Sequence, residues 1–257
     1  MPWTFAHPAA VLPFRRLCPA HLSLAGLVVG SVTPDLGYYV GLGDPRGMAH
    51  SPLGLLTICL PVGLALLVLW RLLSRHLIFL LPQPHRDALL SLVRPLGAVS
   101  MRRLWVAAVS VLSGALTHVA WDAFTHGPGA VVSRIGFLRM TLFHWDGRDI
   151  QVHNVLQHFS TAAGIACLAL CHVHLLRRAT PADHALDSTG DRSRYLLMAA
   201  FAVLALAGAG LMTSLQARAE GGGMNVSVLL VRTVIHATTV FAVLVAVSTC
   251  AVAWHRR

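Results

Sequence analysis

Long apolar runs alternate with short polar segments along the chain. Five runs are long and apolar enough to cross about 30 Å of hydrocarbon, which takes around 20 helical residues. A sixth run, Leu22 to Thr33, is too short to be assigned as a crossing from its length. The pattern predicts an all-α, polytopic membrane bundle with five transmembrane helices and short N-terminal helices. The predicted spans run from Pro52 to Leu73, Leu104 to Trp121, Val155 to Leu176, Tyr195 to Leu215 and Val226 to Trp254.

Polar residues are unevenly distributed over these runs. The last two spans are Leu, Val and Ala runs without a polar cluster, a pattern that favours helices supporting a bundle. We therefore expect a site-bearing membrane domain over residues 1–175 and two further transmembrane helices of the same bundle over 176–257.

Composition agrees with a membrane protein. Of the 257 residues, 56% are hydrophobic and 12% are charged, against roughly 25% charged in a soluble domain. The net charge is +10, and every basic residue is an arginine. In a membrane chain this excess indicates orientation and contact with anionic headgroups. The sequence lacks a basic module with interleaved aromatic residues, which is the pattern that would predict nucleic-acid binding.

The arginines also predict the orientation of the spans. They concentrate in the segments 71–103 and 177–194 and at the C-terminal end, which alternate so that all three share one side. The positive-inside rule makes that side the cytoplasm. We expect an integral protein of a bacterial cytoplasmic membrane. The loops assigned to the extracytoplasmic side are 34–51, 122–154 and 216–225.

A set of six ionisable residues near the predicted outer ends of the apolar runs consists of Asp and His alone. Such residues are costly at a bilayer boundary unless they pair or bind something. Imidazole nitrogens and carboxylate oxygens suit zinc or a similar divalent ion, and the missing Cys ligands argue against a closed structural zinc site. All of these residues fall on the predicted outer side. They are Asp35, His50, His118, Asp122, His126 and His158.

The spacing of residues near the end of the span Leu104 to Trp121 narrows the choice of metal ligands. His118 and Asp122 are four residues apart and share one helix face, so they can share an ion or form a hydrogen-bonded interhelical pair. His126 would lie about 12 Å from His118 along a regular helix. A second ion, or a helix that ends by Gly127, would allow His126 to join the site.

The outer 122–154 loop also contains Arg134, Arg139, Arg148 and His153. This loop is either a solvated connection or a surface on which arginines bind phosphate through their planar, bidentate geometry.

Five stretches carry a resemblance to a known family: MPWTFAHPAAVLPFRR, GSVTPDLGYYVG, AHSPLG, LSGALTHVAWDAFTHG and LQHFSTAAG. They resemble the membrane family called domain of unknown function 4184, over about residues 1–175. That family is similar in motif order to membrane-bound metal-dependent hydrolases and, more distantly, to the zinc phospholipase C and single-strand nuclease group. The metal ligands that the resemblance implies are His7, Asp35, His50, His118, Asp122, His126 and His158.

The resemblance has three consequences for the site. Asp122 takes the place of a bridging carboxylate. Ala162 stands where the distant group has a final Glu, so one or two ions are expected rather than three. His7 can join the other ligands only if residues 1–33 pack as short helices on the outer face, because a crossing from Leu22 to Thr33 would put His7 on the opposite side.

We expect a membrane-bound metal-dependent hydrolase of a phosphoester, on a phospholipid or another lipid-linked substrate. A bound metal lowers the pKa of a water to about 7, and the catalytic residues Asp35 and Asp122 would orient that water. Serine-hydrolase, P-loop and dinucleotide motifs are absent. Two alternatives remain: a divalent-ion binding or transport protein, and a haem protein with His118 and His158 as axial ligands. Membrane lipid is the expected partner, and the sequence does not set the oligomeric state.

Overall fold

The computed structural model describes residues 3–18, 21–41, 46–93, 100–178, 188–220 and 225–255. Parts of the arginine-rich segments and of the 34–51 and 216–225 loops lie outside these ranges. The described chain is mostly helical, and five of its helices are long and apolar enough to cross a membrane, which confirms the predicted spans. These five are Pro52–Phe79, Met101–Thr125, Val152–Arg178, Gly190–Ala219 and Val226–Trp254.

Short helices precede and connect the long ones. A π-helical segment, Leu55–Cys59, joins the short helix Pro52–Gly54 to the long helix Leu60–Phe79. Turns of 3-10 helix occupy Thr4–Ala6, Leu12–Leu17, Thr33–Asp35 and Gly136–Arg139. The α-helices in chain order are α1 Pro8–Val11, α2 Leu24–Gly30, α3 Leu36–Tyr39, α4 Arg46–Ala49, α5 Pro52–Gly54, α6 Leu60–Phe79, α7 His85–Leu90, α8 Met101–Thr125, α9 Val152–Arg178, α10 Ser188–Ala219 and α11 Val226–His255.

The region from Leu22 to Thr33 forms a helix that is too short to span the hydrocarbon of a membrane. Its helix, α2, has seven residues and rises only about 10 Å, a third of the hydrocarbon thickness. This confirms the prediction of short N-terminal helices. Their position on the outer face stays a prediction.

Small residues bring α2 unusually close to α8. A Cβ atom on Gly30 would collide with the carbonyl group of Val111, and one on Gly114 would collide with that of Leu27. Gly26 and Gly30 are four residues apart, a spacing that lets helix backbones approach closely. Ser110 Oγ also accepts a hydrogen bond of 2.8 Å from the backbone N–H of Ser23. This approach places the segment after α2 beside the C-terminal turns of α8.

A β-hairpin lies in the 122–154 loop, where the sequence analysis predicted no regular element. Strand β1, Thr141–Trp145, pairs antiparallel with β2, Arg148–Gln151. Asp146 and Gly147 form the turn with φ of 52° and 69°, the left-handed pair typical of an Asp-Gly hairpin. Strand β2 runs directly into α9.

The described chain forms two compact units, Met1–Val68 with Ala98–Cys171 and Leu69–Gly97 with His172–Arg257. The first contains the N-terminal helices, α8 and the hairpin. In the second, α10 packs against α11. The division into a site domain over 1–175 and two further helices over 176–257 stays a prediction.

Candidate metal centre

Four of the predicted ligands converge from three parts of the chain. Asp35 ends a 3-10 turn after α2, and His50 precedes α5, whose first turn begins with Pro52 and is capped by Ser51. His118 and Asp122 lie on the last two turns of α8. Each of the four offers one ligand atom, and these atoms all lie within 4.8 Å of one another.

The separations within this group match those of ligands around a small ion. His118 Nε2 lies 3.5 Å from Asp35 Oδ1 and 3.4 Å from Asp122 Oδ2. His50 Nε2 lies 3.6 Å and 3.5 Å from the same two oxygens. These distances exceed those of hydrogen bonds. A metal–ligand distance of about 2.1 Å sets adjacent ligands about 3.0–3.4 Å apart, depending on the coordination number.

Several atoms of the group are buried without a hydrogen-bond partner. Among the described residues, no donor or acceptor reaches His118 Nε2, His50 Nε2 or Asp35 Oδ1. Each such atom costs about 1–3 kcal/mol when it is left unsatisfied away from water. A cation at the centre would satisfy all three at once. The residues present therefore fit a divalent ion.

Neighbouring groups orient two of the ligands. Ser31 O lies 2.7 Å from His118 Nδ1, so the Nδ1–H donates to that carbonyl and Nε2 is left to face the centre, as in many metal-binding histidines. Thr4 Oγ1 donates to Asp35 Oδ2 at 2.6 Å, which leaves Oδ1 for the centre. Burial alone would raise the pKa of Asp35, but attraction to His118 and the bond from Thr4 lower that pKa below its ordinary value.

Asp122 connects this group to two further histidines. Its Oδ1 lies 3.6 Å from His7 Nε2 and 3.3 Å from His126 Nδ1, whereas its Oδ2 faces His50 and His118. Helix α8 ends at Thr125 and the backbone of His126 is extended, so the rise along a regular helix does not separate His126 from the site. Asp122 thus has the position expected of a bridging carboxylate.

His7 packs directly on this centre. Its ring stacks on that of His118 with 3.7 Å between centroids. Burial, together with the neighbouring imidazole of His118, lowers the pKa of His7 to about 3. The side chain is therefore neutral at neutral pH, which is the form that binds a metal.

A model of the family described as "Domain of unknown function (DUF4184)" matches residues 1–253. The chain belongs to this family. The DUF4184 match extends beyond residues 1–175, over which the sequence motifs carry the resemblance. Neither the curated proteins nor the solved structures contain a match to the chain. These comparisons show no similarity to metal-dependent hydrolases, which stays a prediction.

His158, the last ligand that the sequence resemblance implies, is not brought to the centre by any contact among the described residues. Its side chain is exposed, and its role stays a prediction. The buried face of α9 instead carries His153, Gln157 and Gly164, spaced by four and seven residues. Gly164 lies against Ala6, next to His7. The position of Gln157 on this buried face was not predicted, although its helical spacing from His153 and Gly164 places the three residues on one side of α9.

Proposed function

We propose that this DUF4184 protein is a membrane-bound metal-dependent hydrolase of a phosphoester, acting on a phospholipid or another lipid-linked substrate. The convergence of Asp35, His50, His118 and Asp122 at ligand spacing carries the proposal. An all-nitrogen and oxygen donor set suits a zinc-type ion that works as a catalyst. His7 and His126, on the other oxygen of Asp122, extend the site towards a second ion.

The residues of the centre have separate tasks in this proposal. When bound, the ion supplies Lewis acidity and a water acidified to a pKa of about 7. The carboxylates of Asp35 and Asp122 orient that water and accept its hydrogen bonds. Thr4 holds Asp35 in place by its 2.6 Å hydrogen bond, and Ser31 fixes the tautomer of His118. The position of the centre at the end of a candidate span favours a substrate that lies in the membrane.

The haem alternative fits this geometry poorly. His118 Nε2 faces two carboxylate oxygens at 3.4 Å and 3.5 Å, and His7 stacks on the ring. A porphyrin iron at Nε2 would have to displace these groups. A protein that binds or transports an ion without hydrolysis would use the same ligands. The hydrolysis test distinguishes this alternative from the proposed hydrolase.

The test is hydrolysis of a nitrophenyl phosphodiester and of phosphatidylcholine by the purified full chain in lipid nanodiscs. The chain is stripped of metal and then reloaded with zinc, manganese or calcium. We expect hydrolysis that requires the metal and is lost in Asp35→Asn. The matched control is Asp149→Asn, on the exposed hairpin, which should hydrolyse like the wild type. A metal-loaded protein that hydrolyses neither substrate would contradict the hydrolase and favour the ion-binding alternative.

A further inference from the structure

The hairpin has an apolar face on which Ile150 is half-buried and the two aromatic residues of β1 are exposed. In β1 all five residues are exposed, and Phe143 and Trp145 each expose about half of their surface, 53% and 52%. Directly paired residues share a face of the hairpin, so Phe143, Ile150, Trp145 and Arg148 lie on one side. On the other side, His144 Nδ1 lies 2.6 Å from Asp149 Oδ1.

The hairpin is rigidly tied to the start of a candidate span. The backbone N–H of Val152 donates to Met140 O at 3.1 Å, and His153 Nδ1–H donates to Leu138 O at 3.0 Å. The base of the hairpin is thus fixed to the first turn of α9. The apolar face therefore has a defined position relative to α9.

The length of α9 indicates the depth at which its first turn would lie in a bilayer. Its 27 residues rise about 40 Å, which equals the hydrocarbon together with its headgroup layers. A crossing of the bilayer by α9 would therefore place the base of the hairpin at the depth of the headgroups. Trp and Tyr rings concentrate at this depth, and arginines there reach phosphate.

We propose that the face formed by Phe143, Ile150, Trp145 and Arg148 lies in the headgroup–acyl interface of the phospholipid bilayer that holds α8 and α9. The apolar side chains insert beside the acyl chains, and Arg148 contacts lipid phosphate. The opposite face, with His144 and Asp149, stays in water. The hairpin then fixes the depth of the nearby ends of α8 and α9, whether or not the metal centre hydrolyses a lipid.

Tryptophan fluorescence of the full chain in phosphatidylcholine nanodiscs tests this placement. The contribution of Trp145 is obtained as the difference between the wild type and Trp145→Phe, which keeps an aromatic ring in the strand. We expect phosphatidylcholine brominated near the headgroup to quench this contribution and aqueous iodide to leave it largely intact.

A matched control moves the indole to the other face of the strand. In the double variant His144→Trp, Trp145→Phe, the new tryptophan should be quenched by iodide and much less by the brominated lipid. Circular dichroism and metal content identify any variant that fails to fold. Quenching of Trp145 by iodide but not by the brominated lipid would place the apolar face in water and overturn the proposal. Resistance to both quenchers would indicate protein contact, and it would overturn the proposal equally.

Discussion

At the scale of single residues, the centre depends on atoms that other residues hold in place. Thr4 Oγ1 occupies one oxygen of the Asp35 carboxylate, so the other oxygen is directed at His50 and His118. Partners of this kind typically contribute 10–100-fold to metal affinity. Such contacts also distinguish residues that face the proposed metal centre from residues that only belong to a matching sequence motif.

Thr4→Val should weaken metal binding about 10–100-fold without unfolding the chain, because valine keeps the shape of threonine but cannot donate to Asp35. Competition with a chelating dye measures the affinity. The control is Thr57→Val, whose exposed hydroxyl bonds only to Leu53 O and whose loss should leave the affinity unchanged. Equal affinities for both variants would mean that Thr4 does not orient Asp35.

His7→Ala should lower the metal content or affinity, because His7 Nε2 faces the second oxygen of Asp122. His21→Ala changes a nearby histidine outside the motifs and should have no effect. His158→Ala should also leave binding unchanged, because its exposed side chain does not contact the centre. Metal titration of the three variants decides both roles: loss of metal in His158→Ala would make His158 a ligand as the motifs predict, and unchanged binding in His7→Ala would exclude His7.

At the scale of elements, close packing of α2 on α8 assembles the site. Both helices present glycine where the other backbone passes, and the contact puts Ser31 against His118 and Asp35 one turn beyond it. The centre should therefore fail when the helices are forced apart, even though no ligand is changed.

Gly114→Ala should reduce thermal stability and metal content together. Its new Cβ would collide with the backbone of α2, and overpacking of this kind costs about 1–3 kcal/mol or more. Gly210→Ala is the matched control, because nothing lies within 4 Å of the added methyl in α10 and alanine favours a helix. Thermal unfolding followed by circular dichroism measures both variants. A stable, metal-loaded Gly114→Ala would show that the tight contact is not needed.

The sequence predicts some of these elements and not others. Ser51 and Pro52 mark the start of a helix and leave His50 outside it, while the spacing of His118 and Asp122 sets a shared face. Gly127 and Pro128 mark the end of α8 near Thr125, but no local pattern predicts that His126 turns back towards Asp122. The buried face of α9 depends on packing against residues near Ala6, a long-range contact, so motif order alone pointed to His158.

The orientation of the protein in the membrane is predicted from the arginines between its five candidate spans, and this prediction does not depend on the metal site. The positive-inside rule puts the segments 71–103 and 177–194 in the cytoplasm, and the centre on the opposite side. This prediction concerns charge in loops and is independent of the metal.

Single cysteines introduced at Ser91 and Gly222, in a chain without its five native cysteines, should report the orientation. We expect a membrane-impermeant thiol reagent on intact cells to label the Gly222 variant and to label the Ser91 variant only after permeabilisation. Labelling with the opposite pattern would move the centre to the cytoplasmic side.

The central claim is that Asp35, His50, His118 and Asp122 bind a divalent ion, and metal content tests it most directly. We predict about one or two zinc-type ions per purified chain, lost for the most part in Asp122→Asn, which preserves the shape of the side chain but removes its charge. Asp149→Asn should retain the wild-type amount. Equal metal content in wild type and Asp122→Asn, or a wild type that binds no divalent ion after reloading, would contradict the account.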